Sequence, residues 1–510
     1  MSIPETTTFA APESRAPISE TDVIIVGTGF SGLGMGTALA RAGQHSFVLL
    51  ERADTVGGTW RDNTYPGAAC DIQSHLYSYS FRPNPDWSRV YAGQPEILAY
   101  LQRTAEEEGL LPLIHFDSEV LHASWSEQRG RWIVETPHGF HVSKAVVTAS
   151  GHLSDPVMPS IPGIETFDGD LFHSARWDHS RDWAGKRVGV IGTGASAIQI
   201  VPELAKTAEH VTVFQRSAPY VIPRKDYVYS SAEKGMFRRL PATAQALRDQ
   251  LFWDNESRFP QRRGVPAFID QIAATARQHL EAQVDDPVLR ARLTPDYAIG
   301  CKRILISNDY YPTLALPHVD LVTEGIARID AQGVRTQDGR QTELDLLVVA
   351  TGFEATDLPI AHRIVGRDAA LLADHWAEGG RAFACTTVSG FPNLFVMLGP
   401  NTGLGAGSII FMVETQIAYI KEALDFVVAN DVTLEPDPDA EQAYVAGIDQ
   451  RSQGTVWLTG GCRSWYVHPR SGRLATLWPD FMTQFRAENG SFTPDGYRIE
   501  QGTAPSRLPA

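Results

Sequence analysis

Two clusters of residues in this chain have the types and spacing for chemistry on dinucleotides. Gly27-Thr28-Gly29-Phe30-Ser31-Gly32 and Gly192-Thr193-Gly194-Ala195-Ser196-Ala197 are glycine-rich turns. In such turns backbone N–H groups and the N-terminus of the next helix meet a pyrophosphate with no Cβ in the way. Each first glycine is followed 24 positions later by a charged residue, Glu51 in one case and Arg216 in the other. A carboxylate there accepts hydrogen bonds from two free ribose hydroxyls. A guanidinium there pairs with a 2′-phosphate. The first turn therefore reads as a site for FAD and the second as a site for NADPH. The alternatives are NAD at Glu51 and a solvated surface position for Arg216. A chain holding both cofactors is arranged to pass a hydride from nicotinamide to flavin.

Such turns need a strand before and a helix after, and isolated glycine patterns lack that context. Here Asp22 to Val26 and Arg187 to Ile191 are the leading apolar strands, and Phe47 to Leu50 and Val211 to Phe214 are the second strands at matched spacing. Val146 to Thr148 reads as a further strand of the first unit, running on to Gly151. Pro156, Pro159 and Pro162 mark a connection, and Leu247, Leu251, Phe268, Ile272, Ala276 and Leu280 keep helical spacing among many charges. A last strand, Leu344 to Ala350, leads into Thr351-Gly352-Phe353. The expected fold is α/β, with two Rossmann-like dinucleotide-binding domains and a helical insertion in the second. The expected boundaries are a disordered leader over 1–20, an FAD-binding domain over 21–152 and 386–510, an NADPH-binding domain over 153–217 and 301–385, and the insertion over 218–300.

Composition narrows the classes. At 510 residues, with 43% hydrophobic and 20% charged residues, the chain has the balance of a soluble globular protein of two or three domains. A net charge of −16 disfavours nucleic acid and anionic membrane surfaces as partners. No apolar run reaches the length of a transmembrane segment, and the first twenty residues lack the basic start and apolar core of a signal peptide. Cys70, Cys301, Cys385 and Cys462 form no close-spaced pair, which points away from a metal site or a redox disulfide and toward a reducing cytoplasm. Pyridine nucleotide–disulfide reductases, which share the two nucleotide sites, need such a pair beside the flavin.

Between the two turns, Phe167-Asp168-Gly169-Asp170-Leu171-Phe172-His173-Ser174-Ala175-Arg176-Trp177-Asp178 resembles the F-x-G-x-x-x-H-x-x-x-W-[PD] fingerprint of type I Baeyer–Villiger monooxygenases, within the flavin-containing monooxygenase superfamily. The stretch from Gly57 to Asp71 resembles the family's second signature, and Asp345 to Gly352 the linker motif of the wider class. Flavin monooxygenases that oxidise amines and sulfides usually carry Tyr where Trp177 stands. The resemblance implies oxygen insertion beside a ketone carbonyl through a flavin C4a-peroxide, with FAD, NADPH and O2 as partners and no metal.

The same resemblance implies roles for individual residues. Cys301-Lys302-Arg303 matches the family's Lys-Arg pair, so Arg303 is the expected catalytic cation and Asp71 the carboxylate that orients it. Glu51 and Arg52 are expected at the FAD ribose, Gly58, Thr59 and Trp60 on the flavin side, and Asp71 and Tyr77 at the isoalloxazine edge. Val120 is expected to give its backbone to the adenine. Thr193 to Ser196 with Gln199 are expected along the second pyrophosphate, and Arg216, Ser217 and Lys302 around the 2′-phosphate. His173 and Trp177 read as structural residues of the interdomain connection. Departures fall at His152, where other members carry Gln, and at Ala406-Gly407, where some carry His-Asn. Two other readings stay open: a flavin oxygenase of sulfides or amines, and a non-catalytic NADPH-sensing module. Substrate identity and oligomeric state do not follow from the residues.

Overall fold

A computed structural model describes residues 16–501. The first sheet is built from β1 (Ser19–Val26), β2 (Phe47–Leu50), β3 (Ile114–His115), β4 (His122–Ser126), β5 (Arg131–Thr136) and β6 (Gly139–Thr148). β1 lies between β2 and β6, parallel to both, while β5 runs antiparallel to β6 and β4 antiparallel to β5. Val23 to Val26 and Phe47 to Leu50 are buried throughout, as expected of parallel strands covered on both faces. Between β1 and β2 runs α1 (Phe30–Ala42), ended by Gly43 in the left-handed region at φ 63°. The segment toward β3 carries the single-turn α2 (Thr59–Asp62) and then α3 (Gln94–Glu107).

The second sheet holds β7 (Asp170–His173), β8 (Arg187–Ile191), β9 (His210–Phe214), β12 (Val319–Val322) and β16 (Leu346–Val349), in the order β12-β9-β8-β16-β7 and parallel throughout. α4 (Ala195–Leu204) crosses from β8 to β9. Outside this sheet, β10 (Val221–Ile222) pairs with β11 (Leu305–Ile306), and β13 (Ile326–Asp330), β14 (Gly333–Thr336) and β15 (Gln341–Glu343) form a small antiparallel sheet. Gly169 of the fingerprint stands just before β7. A Cβ there would lie 2.6 Å from the Asp345 carbonyl oxygen and 2.5 Å from the Phe167 ring, so the close approach of the two motifs requires glycine.

Three expected boundaries shift. Residues 1–15 of the expected leader lie outside the described residues, while Ser19 and Glu20 already pair with β6. The chain rejoins the first sheet well before residue 386. β17 (Ile364–Val365) pairs with β4, and Ala361, Leu372 and Trp376 pack with Trp125 and Trp132. β18 (Leu394–Val396) then adds to β6. The short apolar pieces between 354 and 385 have no helical or strand period of their own, which is why the crossing was hidden.

The stretch over 218–300 opens with β10 and becomes helical only from residue 231. Five helices follow: α5 (Ser231–Arg239), α6 (Pro241–Glu256), α7 (Phe259–Arg262), α8 (Pro266–Gln283) and α9 (Pro287–Arg292). Leu247, Leu251 and Phe252 of α6 pack on the core of the first sheet, whereas Leu280 of α8 belongs to the core of the second and Ala276 is buried. Phe268, placed by its spacing on the apolar face, is instead 38% exposed. Among the described residues no helix is long and apolar enough to cross a membrane.

Candidate active site

The first glycine turn sits where β1 meets α1. Gly27 has φ 102°, and a Cβ on it would lie 2.8 Å from the Ala149 carbonyl oxygen; one on Gly32 would lie 1.9 Å from that of Gly27. Gly29 caps α1 without any side-chain hydrogen bond, so the first N–H groups of the helix keep their donors. Gly58 passes so near that its Cβ would lie 3.0 Å from the Gly29 Cα. Those N–H groups open on a cleft of about 440 Å³ that reaches Glu51, Trp60, Asp71 and Arg303, and also touches Ala195 and Gln199 of α4. A positive helix end, a cradle with no room for Cβ atoms and a carboxylate 3% exposed fit the pyrophosphate and ribose of FAD.

Glu51 is held firmly. Oε2 accepts from the Thr28 backbone N–H at 3.0 Å and the Thr28 hydroxyl at 2.6 Å, while Oε1 accepts from Ala53 N at 3.0 Å and Arg61 Nη1 at 2.8 Å. Arg61 carried no signal that marked it beyond its place in the second signature. Arg52 reaches Asp155 Oδ1 at 2.8 Å, tying the end of β2 to the interdomain connection. Trp60 Nε1 donates to the Tyr77 hydroxyl at 3.1 Å, and the Phe30 ring meets Tyr77 edge-on at 5.2 Å. Val120 lines the cleft, but its carbonyl already accepts from Arg363 Nη1 at 2.6 Å.

Arg303 and Asp71 come from segments 232 residues apart and meet on the cleft wall. Arg303 Nε donates to Asp71 Oδ2 at 2.6 Å and Nη2 to Oδ1 at 2.7 Å, a two-pronged pair that fixes the guanidinium plane. Burial works against the Asp71 charge, yet Arg303 outweighs it and holds the carboxyl below its usual range. The Asp71 charge in turn raises Arg303 above the ordinary range, so both stay ionised. Tyr466 and Trp465, neither expected from sequence, complete this wall, and the His152 ring lies 5.7 Å from Trp465.

At the second turn Gly192 has φ 117°, and a Cβ would lie 2.4 Å from the Ala350 carbonyl oxygen, so strand, turn and linker motif approach closely. Gly194 caps α4 with no side-chain bond, and Thr193 Oγ1 donates to the Ser217 carbonyl at 3.0 Å. Gln199 faces the first unit: Oε1 accepts from the Tyr65 hydroxyl at 3.0 Å and Nε2 donates to the Ala69 carbonyl at 3.0 Å. A second cavity, about 240 Å³, gathers Arg216, Ser217 and Lys302, with Lys302 Nζ donating to Ser217 Oγ at 2.8 Å. Those cations and the Ser217 hydroxyl fit the 2′-phosphate of NADPH.

The fingerprint residues line neither cavity. His173 Nδ1 accepts from Ala175 N at 3.0 Å, and burial lowers the ring's pKa to about 4. Trp177 packs between Phe172 and Trp183, and Asp178 accepts from Ser180 at the surface. Although they form no close-spaced pair, Cys301 and Cys462 are joined by a disulfide across 161 residues. Spacing along the chain says nothing of a pair joined only by folding, and the inference toward a reducing cytoplasm loses this support.

The family model described as flavin-binding monooxygenase-like matches residues 20–240. A protein of Streptomyces coelicolor named Baeyer-Villiger monooxygenase is 47% identical over 96% of this chain and 94% of its own. One of the same name in Pseudomonas aeruginosa is 43% identical over 94% and 91%. Among solved structures, an oxidised steroid monooxygenase bound to NADP superposes with a TM-score of 0.83 at 32% identity, covering 95% of this chain and all of the other. A closed form of cyclohexanone monooxygenase gives 0.83 at 29%, again over 95% and 100%.

Proposed function

Because the chain belongs to the Baeyer–Villiger monooxygenases, among the flavin-binding monooxygenases, we propose that it inserts one atom of O2 beside a ketone carbonyl. The product is an ester or a lactone. The first glycine turn would hold FAD and the second NADPH, each turn in its own dinucleotide-binding domain. When bound, these cofactors supply the hydride and the activated oxygen. The observation that carries the reading is the Arg303–Asp71 pair, set in the wall of the same cleft onto which the first glycine turn opens.

The side chains divide the work. N–H groups of Gly29 to Ser31 would hold the flavin pyrophosphate, and Glu51, kept in place by Arg61 and Thr28, would accept from the ribose. Arg216, Ser217 and Lys302 would hold the 2′-phosphate. Asp71 takes Nε and Nη2 of Arg303, so Nη1 keeps its donors for negative charge that develops on oxygen as the ketone is attacked. A donor already fixed in place needs no reorganisation at that moment. Ile72, Leu404, Ile409 and Leu477 give the cleft apolar walls that exclude water.

The test is product analysis. Purified protein, NADPH and O2 are given linear, cyclic and aryl ketones alongside thioethers, and the products are identified by mass spectrometry. Esters or lactones are the expected result. Sulfoxides alone would overturn the assignment.

A further inference from the structure

The cavity around Arg216, Ser217 and Lys302 has a wall not assigned so far. Gly461, Cys462 and Arg463 close it, with Asp296 and Tyr297 opposite. This wall comes from a distant part of the chain and is fastened in two ways. Ala298 N donates to the Gly460 carbonyl at 2.9 Å, and Cys462 is bonded to Cys301, the residue before Lys302. Gly460 makes the junction possible, since a Cβ there would lie 2.7 Å from Cys301 Cβ and 2.9 Å from its sulfur. Gly461 follows in the left-handed region at φ 76°.

We propose that Arg463 is a third cation for the 2′-phosphate of NADPH and that the Cys301–Cys462 disulfide holds it at the cavity. The inference rests on the reading of the second turn as the NADPH site. Charge supports it. Arg216 and Arg463 have no carboxylate partner among the described residues, and Lys302 bonds only to a hydroxyl and lies 4.7 Å from the centre of the Tyr297 ring. Against these three cations the cavity has one carboxylate, Asp296, leaving an excess of two positive charges in a protein of net charge −16. A phosphate monoester carries about −1.5 to −2 at neutral pH, which matches that excess. Arg463 is 161 residues from Lys302 and further still from Arg216, Ser217, Asp296 and Tyr297, and stands on a loop, so packing along the sequence does not bring it to them. The disulfide does.

The experiment is calorimetric titration of the purified flavoprotein with NADP+ and, separately, with NAD+. Arg463→Ala should weaken NADP+ roughly tenfold or more, the scale of one hydrogen bond to a charged group, and leave NAD+ unchanged. Arg463→Lys should recover part of the loss. Dithiothreitol tests the tether without a substitution: the S–S bond breaks, two S–H groups form, and the dithiol is oxidised to its cyclic disulfide. A thiol titration of denatured protein follows this as a rise from two thiols to four. Reduced wild-type protein should lose NADP+ affinity as Arg463→Ala does, and reduction of Arg463→Ala should add nothing. Equal weakening of NADP+ and NAD+ by Arg463→Ala would overturn the proposal, as would unchanged NADP+ binding after reduction. If Arg216→Ala weakens NADP+ and Arg463→Ala does not, the inference fails while the NADPH site stands. If Arg216→Ala is also without effect, the site itself is misread.

Discussion

Arg303 is anchored by two bonds to one carboxylate, so its substitutions separate charge from geometry. Arg303→Ala removes the fixed donor and should cost about 2.7–4 kcal/mol of transition-state stabilisation, roughly 10²–10³-fold in product formation. Flavin should remain bound, because its contacts lie on the first turn. Arg303→Lys should recover little, since an ammonium lacks the planar fork that addresses Asp71 and a second oxygen together. Asp71→Ala, which frees the guanidinium without removing it, should fall between. Ester yield per NADPH oxidised is the measurement, and full yield from Arg303→Ala would remove it from the catalytic role. The pair also bears on pH. Asp71 lies below its ordinary value, so its contribution is complete above the usual carboxylate range and is lost as pH falls through the lower folded value. Arg303 lies above its ordinary value, so the pair does not titrate between about pH 5 and 10.

At the scale of the element, the first turn brings α1 onto its ligand only because three glycines leave room. Gly32→Ala places a Cβ where the Gly27 carbonyl oxygen stands, forcing α1 away from β1. The variant should purify with little flavin, read from visible absorbance, and unfold at a lower temperature. Gly169→Ala tests the fingerprint in the same way. Its Cβ would push Asp345 and Phe167 apart, an overpacking cost of about 1–3 kcal/mol in denaturant unfolding. Flavin content should be unaffected, since Gly169 lines neither cavity.

Across the whole molecule the two sheets are joined by α4 through Gln199, by Arg52–Asp155, and by an insertion whose α6 packs on one core and α8 on the other. Five histidines are buried among the described residues, and three of them are strongly shifted. His75, His141 and His173 each have a pKa lowered to about 4, in every case first by burial. An unfolded histidine takes up its proton near pH 6.5, so below that value the unfolded state binds protons the folded state refuses. Stability should therefore decline as pH falls from about 6.5 toward 4. Melting temperatures at pH 7.5 and 5.5 check this, and His141→Gln should flatten the slope. A Tm that stays level over that interval would contradict the burial of these rings.

The cofactor turns, their partner strands and the charge that follows each were legible in the sequence, because a parallel strand, a glycine turn and a helix are local patterns with fixed periods. The Arg303–Asp71 assignment came from motif resemblance, since nothing in the spacing of two residues 232 apart states that they touch. What folding alone decided is of that distant kind: the early return of residues 354–385 to the first sheet, Arg61 on Glu51, Arg363 on the Val120 carbonyl, and the insertion spanning both cores. The cysteines make the point most plainly. Read along the chain they are four isolated thiols; in three dimensions the turn at Gly460-Gly461 lays Cys462 against Cys301 and sets Arg463 beside Arg216 and Lys302. Local backbone preference writes itself into consecutive residues, whereas a contact closed by a long loop depends on the packing of everything between its ends.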